Sequence, residues 1–209
     1  MVRIFASHSK LDKDIVSFFT AAFATSKKNV KADFMEFENL QGKYAGAEIS
    51  QRIKHPETQA VFVLLGPNVK QALHTENWIT YEVGVASGVG KDVWVFEPLS
   101  DTVEYPIPYL NHYVQYEPRD HGHLDFIREK IDAYDTGLVF RKGAILRNNP
   151  WVISCKHCKA RYYLHLPHGW FPCPCCRTQL DPGKNLVPSP PPPPRSRDPI
   201  MELLFPGKK

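Results

Sequence analysis

Every cysteine of this chain lies between residues 155 and 176, and the 154 residues before them contain none. A secreted disulfide framework spreads its cysteines through the fold. Five packed into one short stretch instead divide the chain into a long part that must fold on an apolar core and a short part that a metal can hold. Cys155-Lys-His-Cys158 and Cys173-Pro-Cys-Cys176 are two Cys-x-x-Cys knuckles separated by 14 residues, one short of the usual range for a ribbon. Each knuckle turns its backbone so that two sulfurs meet one ion, and two knuckles supply the four corners of a tetrahedron. Four thiolates leave no open position for water, so the expected cofactor is a structural Zn2+ on Cys155, Cys158, Cys173 and Cys176. His157 and Cys175 are spare donors, and whether Cys175 replaces a neighbour stays open.

The cysteine-free part alternates strand-like and helix-like segments. The run 2–6 is short and apolar, and Ser9 with Asp12 reads as a capping box opening a helix in which Ile15, Phe18, Phe19, Ala22 and Phe23 recur at helical spacing. A second strand is expected over 31–37, a glycine-bearing loop over 41–46 and a short helix over 47–53 stopped before Pro56. The clearest buried strand is 60–65. A helix over 76–86, a strand over 92–96, a weaker strand over 112–116 and a helix over 123–134 follow. Alternating elements with apolar, unalternating central strands predict a parallel sheet covered on both faces. The expectation is an α/β, flavodoxin-like, five-stranded parallel sheet over 1–136, then a connector over 137–150 and a small zinc-ribbon module over 151–181. Beyond lies a Pro-rich tail over 182–209 that holds nine of the nineteen prolines, five of them in the run 190–194.

Charge follows the same division. Residues 1–150 carry 17 Lys and Arg against 19 Asp and Glu, whereas 151–209 carry 9 against 3. The ribbon's Lys156, Lys159, Arg161, Tyr162, Tyr163 and Trp170 read as a basic, aromatic surface, for which nucleic acid and protein are both open as partners. No apolar run approaches the roughly 18 residues a membrane span needs, and residues 1–9 do not read as a secretory signal, so the expected location is the cytoplasm with no membrane partner.

One carboxylate stands out. Trp78 and Glu82 are four apart, hence on one helical face, in line with Val85 and Ala86. A glutamate on the side of a helix that faces a sheet is costly unless it is paired or lines a cleft.

Taken together, the stretch IFASHSKLD over 4–12, the loop over 38–46, the strand over 60–65 ending at Gly66-Pro67, and Trp78-x-x-x-Glu82 followed by Gly84 and Gly88 resemble a TIR (Toll/interleukin-1 receptor) domain, in order and spacing. With no proline between Asp33 and His55 and a ribbon appended, the chain is more similar to prokaryotic stand-alone TIR proteins than to receptor adaptors. The resemblance implies an NAD+ glycohydrolase or cyclase that cleaves the nicotinamide–ribose bond, with Glu82 as its catalytic residue. It further implies that Ser7, His8 and Ser9 face the phosphates or ribose, that Phe37, Glu38, Leu40 and Tyr44 wall the nicotinamide side, that Trp78 is also substrate-binding, and that TIR domains self-associate in immune signalling or NAD depletion. Hydrolysis and cyclisation to a cyclic ADP-ribose isomer stay open. There is no Gly-x-Gly-x-x-Gly and no Walker loop, so neither an ordinary dehydrogenase nor an NTPase finds support. The other classes in contention are a non-enzymatic TIR scaffold recruiting partners through the ribbon and tail, a nucleoside deoxyribosyltransferase-like enzyme, and nucleic-acid binding by the basic C-terminal part.

Overall fold

The computed structural model describes residues 1–26, 29–35, 44–71, 73–99, 110–135, 151–164, 171–173 and 175–181. In chain order the elements are β1 (Val2–Ser7), α1 (Lys13–Ala24), β2 (Val30–Phe34), α2 (Ala45–Lys54), β3 (Thr58–Leu64), α3 (Pro67–Gln71), α4 (Leu73–Gly88), β4 (Asp92–Pro98), β5 (His112–Tyr116), α5 (His121–Asp135), β6 (Trp151–Ser154), β7 (Arg161–Leu164), β8 (Phe171–Pro172) and β9 (Gln179–Leu180).

The central strands carry unbroken apolar runs, 60–64 on β3 and 93–96 on β4, because both faces of the sheet are covered. Phe5, Val61, Val63, Val93, Val95 and Tyr113 pack against Ile49 and Ile53 of α2 and against Ile79, Val83 and Ala86 of α4. Their neighbours Ile4, Ala60, Phe62, Leu64, Trp94, Phe96 and Val114 turn to the other face, onto Ile15, Phe19 and Ala22 of α1 and Ile127 and Ile131 of α5. The helices keep one apolar stripe each, at the spacing that brings three or four residues per two turns onto the sheet. On the α5 side Trp94 Nε1 donates to Tyr134 Oη at 2.6 Å, and Tyr134 Oη donates to Asp92 Oδ2 at 3.1 Å, so the end of α5 is tied to β4 through half-buried polar atoms.

The sheet has seven strands in the order β2-β1-β3-β4-β5-β7-β6, not five. The first five form the expected parallel, doubly wound core. The cysteine-bearing segment then continues it: β7 pairs parallel to β5, with Tyr113 opposite Tyr162, and β6 closes the sheet antiparallel to β7. Sequence reasoning sets this hairpin apart because its strands are only four residues long and flank metal-ligand spacing. Its alternation shows why it joins: Tyr162 is fully buried on the α4 face and Tyr163 nearly so on the α5 face. These two tyrosines therefore do not belong to a basic, aromatic surface, and Trp170, the third aromatic of that set, lies outside the described residues. The connector over 137–150 and the tail over 182–209 do as well. Among the described residues no helix is long and apolar enough to cross a membrane.

The expected capping box is corrected too. The helix begins at Lys13, and Asp12 stands at its N-cap without a side-chain bond to the helix. Its carboxylate goes elsewhere, as the site shows.

Candidate active site

In a doubly wound sheet the loops leaving neighbouring strands diverge where the winding reverses, and the crevice between them at the carboxyl ends is where ligands bind. Here the reversal falls between β1 and β3, since the chain passes from β1 to β2 on one side and returns to β3 on the other. Ser7 is the last residue of β1. Across from it, α4 presents Ile79, Glu82, Val83 and Ala86 as its buried stripe, so the carboxylate is carried to the sheet by the same periodicity that buries its neighbours.

Glu82 is 5% exposed and accepts a hydrogen bond from the Ser7 hydroxyl on Oε2. Among the described residues no cation pairs with it. Burial pushes its carboxyl up to about 7, and the Ser7 hydroxyl only partly opposes that shift. Near neutrality the site therefore holds a carboxyl that either gives or takes a proton, or stands as a desolvated negative charge, in surroundings where charge counts for more than in water.

The rim of the crevice is set by Asp12. Its Oδ1 accepts from the Asn68 backbone N–H at 3.1 Å and from Asn68 Nδ2 at 2.6 Å, which ties the loop after β1 to the start of α3. A Cβ on Gly66 would lie 2.2 Å from Asp12 Cγ, so only glycine lets that carboxylate pass. This is why Asp12 does not cap α1. Ser9 Oγ accepts the Leu11 N–H at 3.3 Å, a local turn only.

The remaining expected site residues are distributed as follows. His8 Nδ1 donates back to the Ala6 carbonyl at 3.1 Å, and its ring meets Phe34 edge-on. Trp78 sits one turn before Glu82 on α4, half-buried, with its ring at right angles to that of Tyr81. Tyr44 is 89% exposed at the start of α2. Phe37, Glu38 and Leu40 lie outside the described residues. The structure thus brings Ser7 and Glu82 together directly, with Trp78 one turn before Glu82 on α4.

Two groups, one exposed and one buried, went unnoticed in the sequence. Tyr81, whose hydroxyl donates to the Gly46 carbonyl at 2.8 Å, pins the start of α2 to α4 beside Trp78. Glu97, fully buried at the end of β4, accepts a hydrogen bond from the Tyr113 hydroxyl, and Gln115, opposite it in register, is equally buried. A lone acid at the carboxyl end of an apolar strand was the available signal. A separate groove of about 440 Å³ opens at the other end of the sheet beside Arg3, Lys31 and His55, where Arg52 bridges Glu48 and Asp33.

The second centre is the cysteine quartet. The sulfurs of Cys155, Cys158, Cys173 and Cys176 lie within 4.8 Å of one another, and the pairs Cys155–Cys176 and Cys158–Cys173 are each 3.6 Å apart. A tetrahedral ion with metal–sulfur bonds of about 2.3 Å requires sulfurs about 3.8 Å apart, so the quartet fits a metal such as zinc. Cys175, though packed nearby, is not one of the four. The two knuckles share one backbone form. The Lys159 N–H bonds the Cys155 carbonyl at 3.0 Å and the Arg177 N–H bonds the Cys173 carbonyl at 2.8 Å, with both residues left-handed at φ 65° and 63°. Holding two non-glycine residues there costs roughly 1–2 kcal/mol each, which a bound ion offsets.

Among solved structures, the chain is similar to the CMP N-glycosidase BcmB of Clostridium botulinum, at 17% identity and a TM-score of 0.37, over 63% of this chain and 99% of that one. No model of a known protein family matches the chain, and no curated protein does.

Proposed function

We propose that this chain is a TIR-type NAD+ glycohydrolase or cyclase, with Glu82 as its catalytic residue and a structural zinc ion on Cys155, Cys158, Cys173 and Cys176. The observation that carries the reading is the buried Glu82 carboxylate held by Ser7 at the carboxyl edge of β1, at the reversal point of the sheet. The resemblance of 4–12 and of Trp78-x-x-x-Glu82 to the TIR pattern supplies the substrate class.

The chemistry suits one carboxylate. Nicotinamide leaves NAD+ as a neutral molecule from a pyridinium, so the departure needs no general acid, unlike the two-carboxylate arrangement of most glycosidases. What needs stabilising is the oxocarbenium-like ribose left behind. An ionised Glu82 in a dry crevice supplies that negative charge and orients the ribose hydroxyls, with Ser7 fixing the carboxylate's direction. His8, Ser9, Tyr44 and Trp78, with Phe37, Glu38 and Leu40, complete the substrate walls in this reading. Water as the acceptor gives ADP-ribose, and a nucleophile within the same molecule gives a cyclic isomer. Self-association of TIR domains in the cytoplasm belongs to the same proposal.

The test is chromatography of NAD+ and its products at high protein concentration, for wild type and Glu82→Gln, with a deoxynucleoside in a parallel arm. Loss of nicotinamide release by at least about 10²–10³-fold in the variant is expected. Equal rates in both proteins, or turnover of the deoxynucleoside but not of NAD+, would overturn the reading. No turnover by either protein leaves the scaffold as the better account.

A further inference from the structure

The cysteine quartet is joined to the large sheet by the backbone of β6 and β7 and by the Tyr162 side chain. Cys155 and Cys173 are fully buried and share a core with Val83, Val95 and Tyr113. Tyr162, whose backbone pairs with Tyr113 across β7 and β5, has its hydroxyl 2.8 Å from Cys173 Sγ. Its ring lies 5.8 Å from that of Tyr113, and the Tyr113 hydroxyl in turn donates to Glu97 at the end of β4. On the opposite face Tyr163 stacks along Trp94, and its hydroxyl is 3.2 Å from His112 Nδ1. The Arg161 N–H also bonds the Asn111 carbonyl at 3.1 Å, so the strand is joined by backbone as well as by both side chains.

We propose that Tyr162 is a positioning residue of the metal centre: it donates a hydrogen bond to the Cys173 thiolate and makes metal occupancy and the packing of β7 on β5 and β4 one cooperative unit. Four thiolates around a dication leave a net negative charge in a half-buried place, and hydrogen-bond donors around the sulfurs must balance it. A thiolate only accepts, which fixes the direction of the bond from Tyr162. Loss of the ion frees the knuckles that bracket β7, and β7 then takes with it the tyrosines that fill both faces beside β5. The proposal is independent of the NAD+ reading, and its test needs no substrate.

The test uses the full chain in two measurements. In the first, Tyr162→Phe keeps the ring on Tyr113 and removes the hydroxyl. Chelator competition should show metal binding weakened about 10–100-fold, and the thiolate-to-metal charge-transfer band of the cobalt-loaded protein should shift. In the second, hydrogen exchange is followed on wild type before and after a chelator strips the metal. Amides of 112–116 should lose protection together with those of 161–164, whether locally or with the whole chain. An unchanged affinity and band in Tyr162→Phe would overturn the role of the hydroxyl. Full protection of 112–116 in the stripped protein, or a wild type that takes up no metal, would overturn the coupling.

Discussion

Glu82 illustrates how one residue is set against the fold that carries it. Its carboxyl is raised from the ordinary 4.5 to about 7, chiefly by burial. A group whose folded value lies above its unfolded value favours the folded state fully below the unfolded value, and that contribution is lost as pH rises through the folded one. Between about pH 4.5 and pH 7 the chain therefore loses on the order of 3 kcal/mol, at 1.36 kcal/mol per unit. Glu82→Gln removes the titration. Urea denaturation should find the variant more stable than wild type at pH 8, with the difference shrinking toward pH 5. Activity has the opposite dependence: if the ionised carboxylate stabilises the ribose cation, kcat/KM should fall about tenfold per unit below pH 7. A variant that is both more stable and inactive marks Glu82 as kept for chemistry.

At the scale of elements, the junction of β4, β5 and β7 turns on Asn111. Its Oδ1 accepts from the Val93 N–H at 2.8 Å, its own N–H bonds the Val93 carbonyl at 2.9 Å, and its carbonyl receives the Arg161 N–H at 3.1 Å. Asn111→Ala leaves the buried Val93 donor without that acceptor and should cost about 1–3 kcal/mol in urea denaturation, with the ends of β4 and β5 losing exchange protection first. Elements of this kind were legible in the sequence only in part. The strands over 60–65 and 92–96 were readable because burial on both faces leaves an unbroken apolar run. Glu82 was readable because a charge on a buried helical stripe is an anomaly. Asp12 was misread because local spacing favours a cap, whereas its partner, Asn68, is 56 residues away. The place of Arg161–Leu164 in the main sheet was hidden for the same reason: a four-residue strand carries no periodicity that names its neighbour, and the cysteines around it suggest a unit of its own.

For the molecule as a whole, the two apolar cores, one on each face of the sheet, together reach from Val30 on β2 to Ile153 on β6, and the hairpin β6–β7 occupies the flank that β5 would otherwise present. The alternation of strands and helices places a natural boundary near 136, where that pattern ends ahead of the first cysteine at 155. In the fold that boundary leaves His112–Tyr116 with one partner strand, β4, and a row of open N–H and C=O groups on the other side. A bare, flat edge of this kind is a template for another chain. A fragment comprising 1–136 should accordingly scatter light and sediment at concentrations where the full chain stays clear. A clear fragment would mean that β5 guards itself. The short hairpin with its metal knuckles thus amounts to a guard against aggregation: where metal runs short, the first symptom expected of this protein is loss from solution rather than a slower reaction.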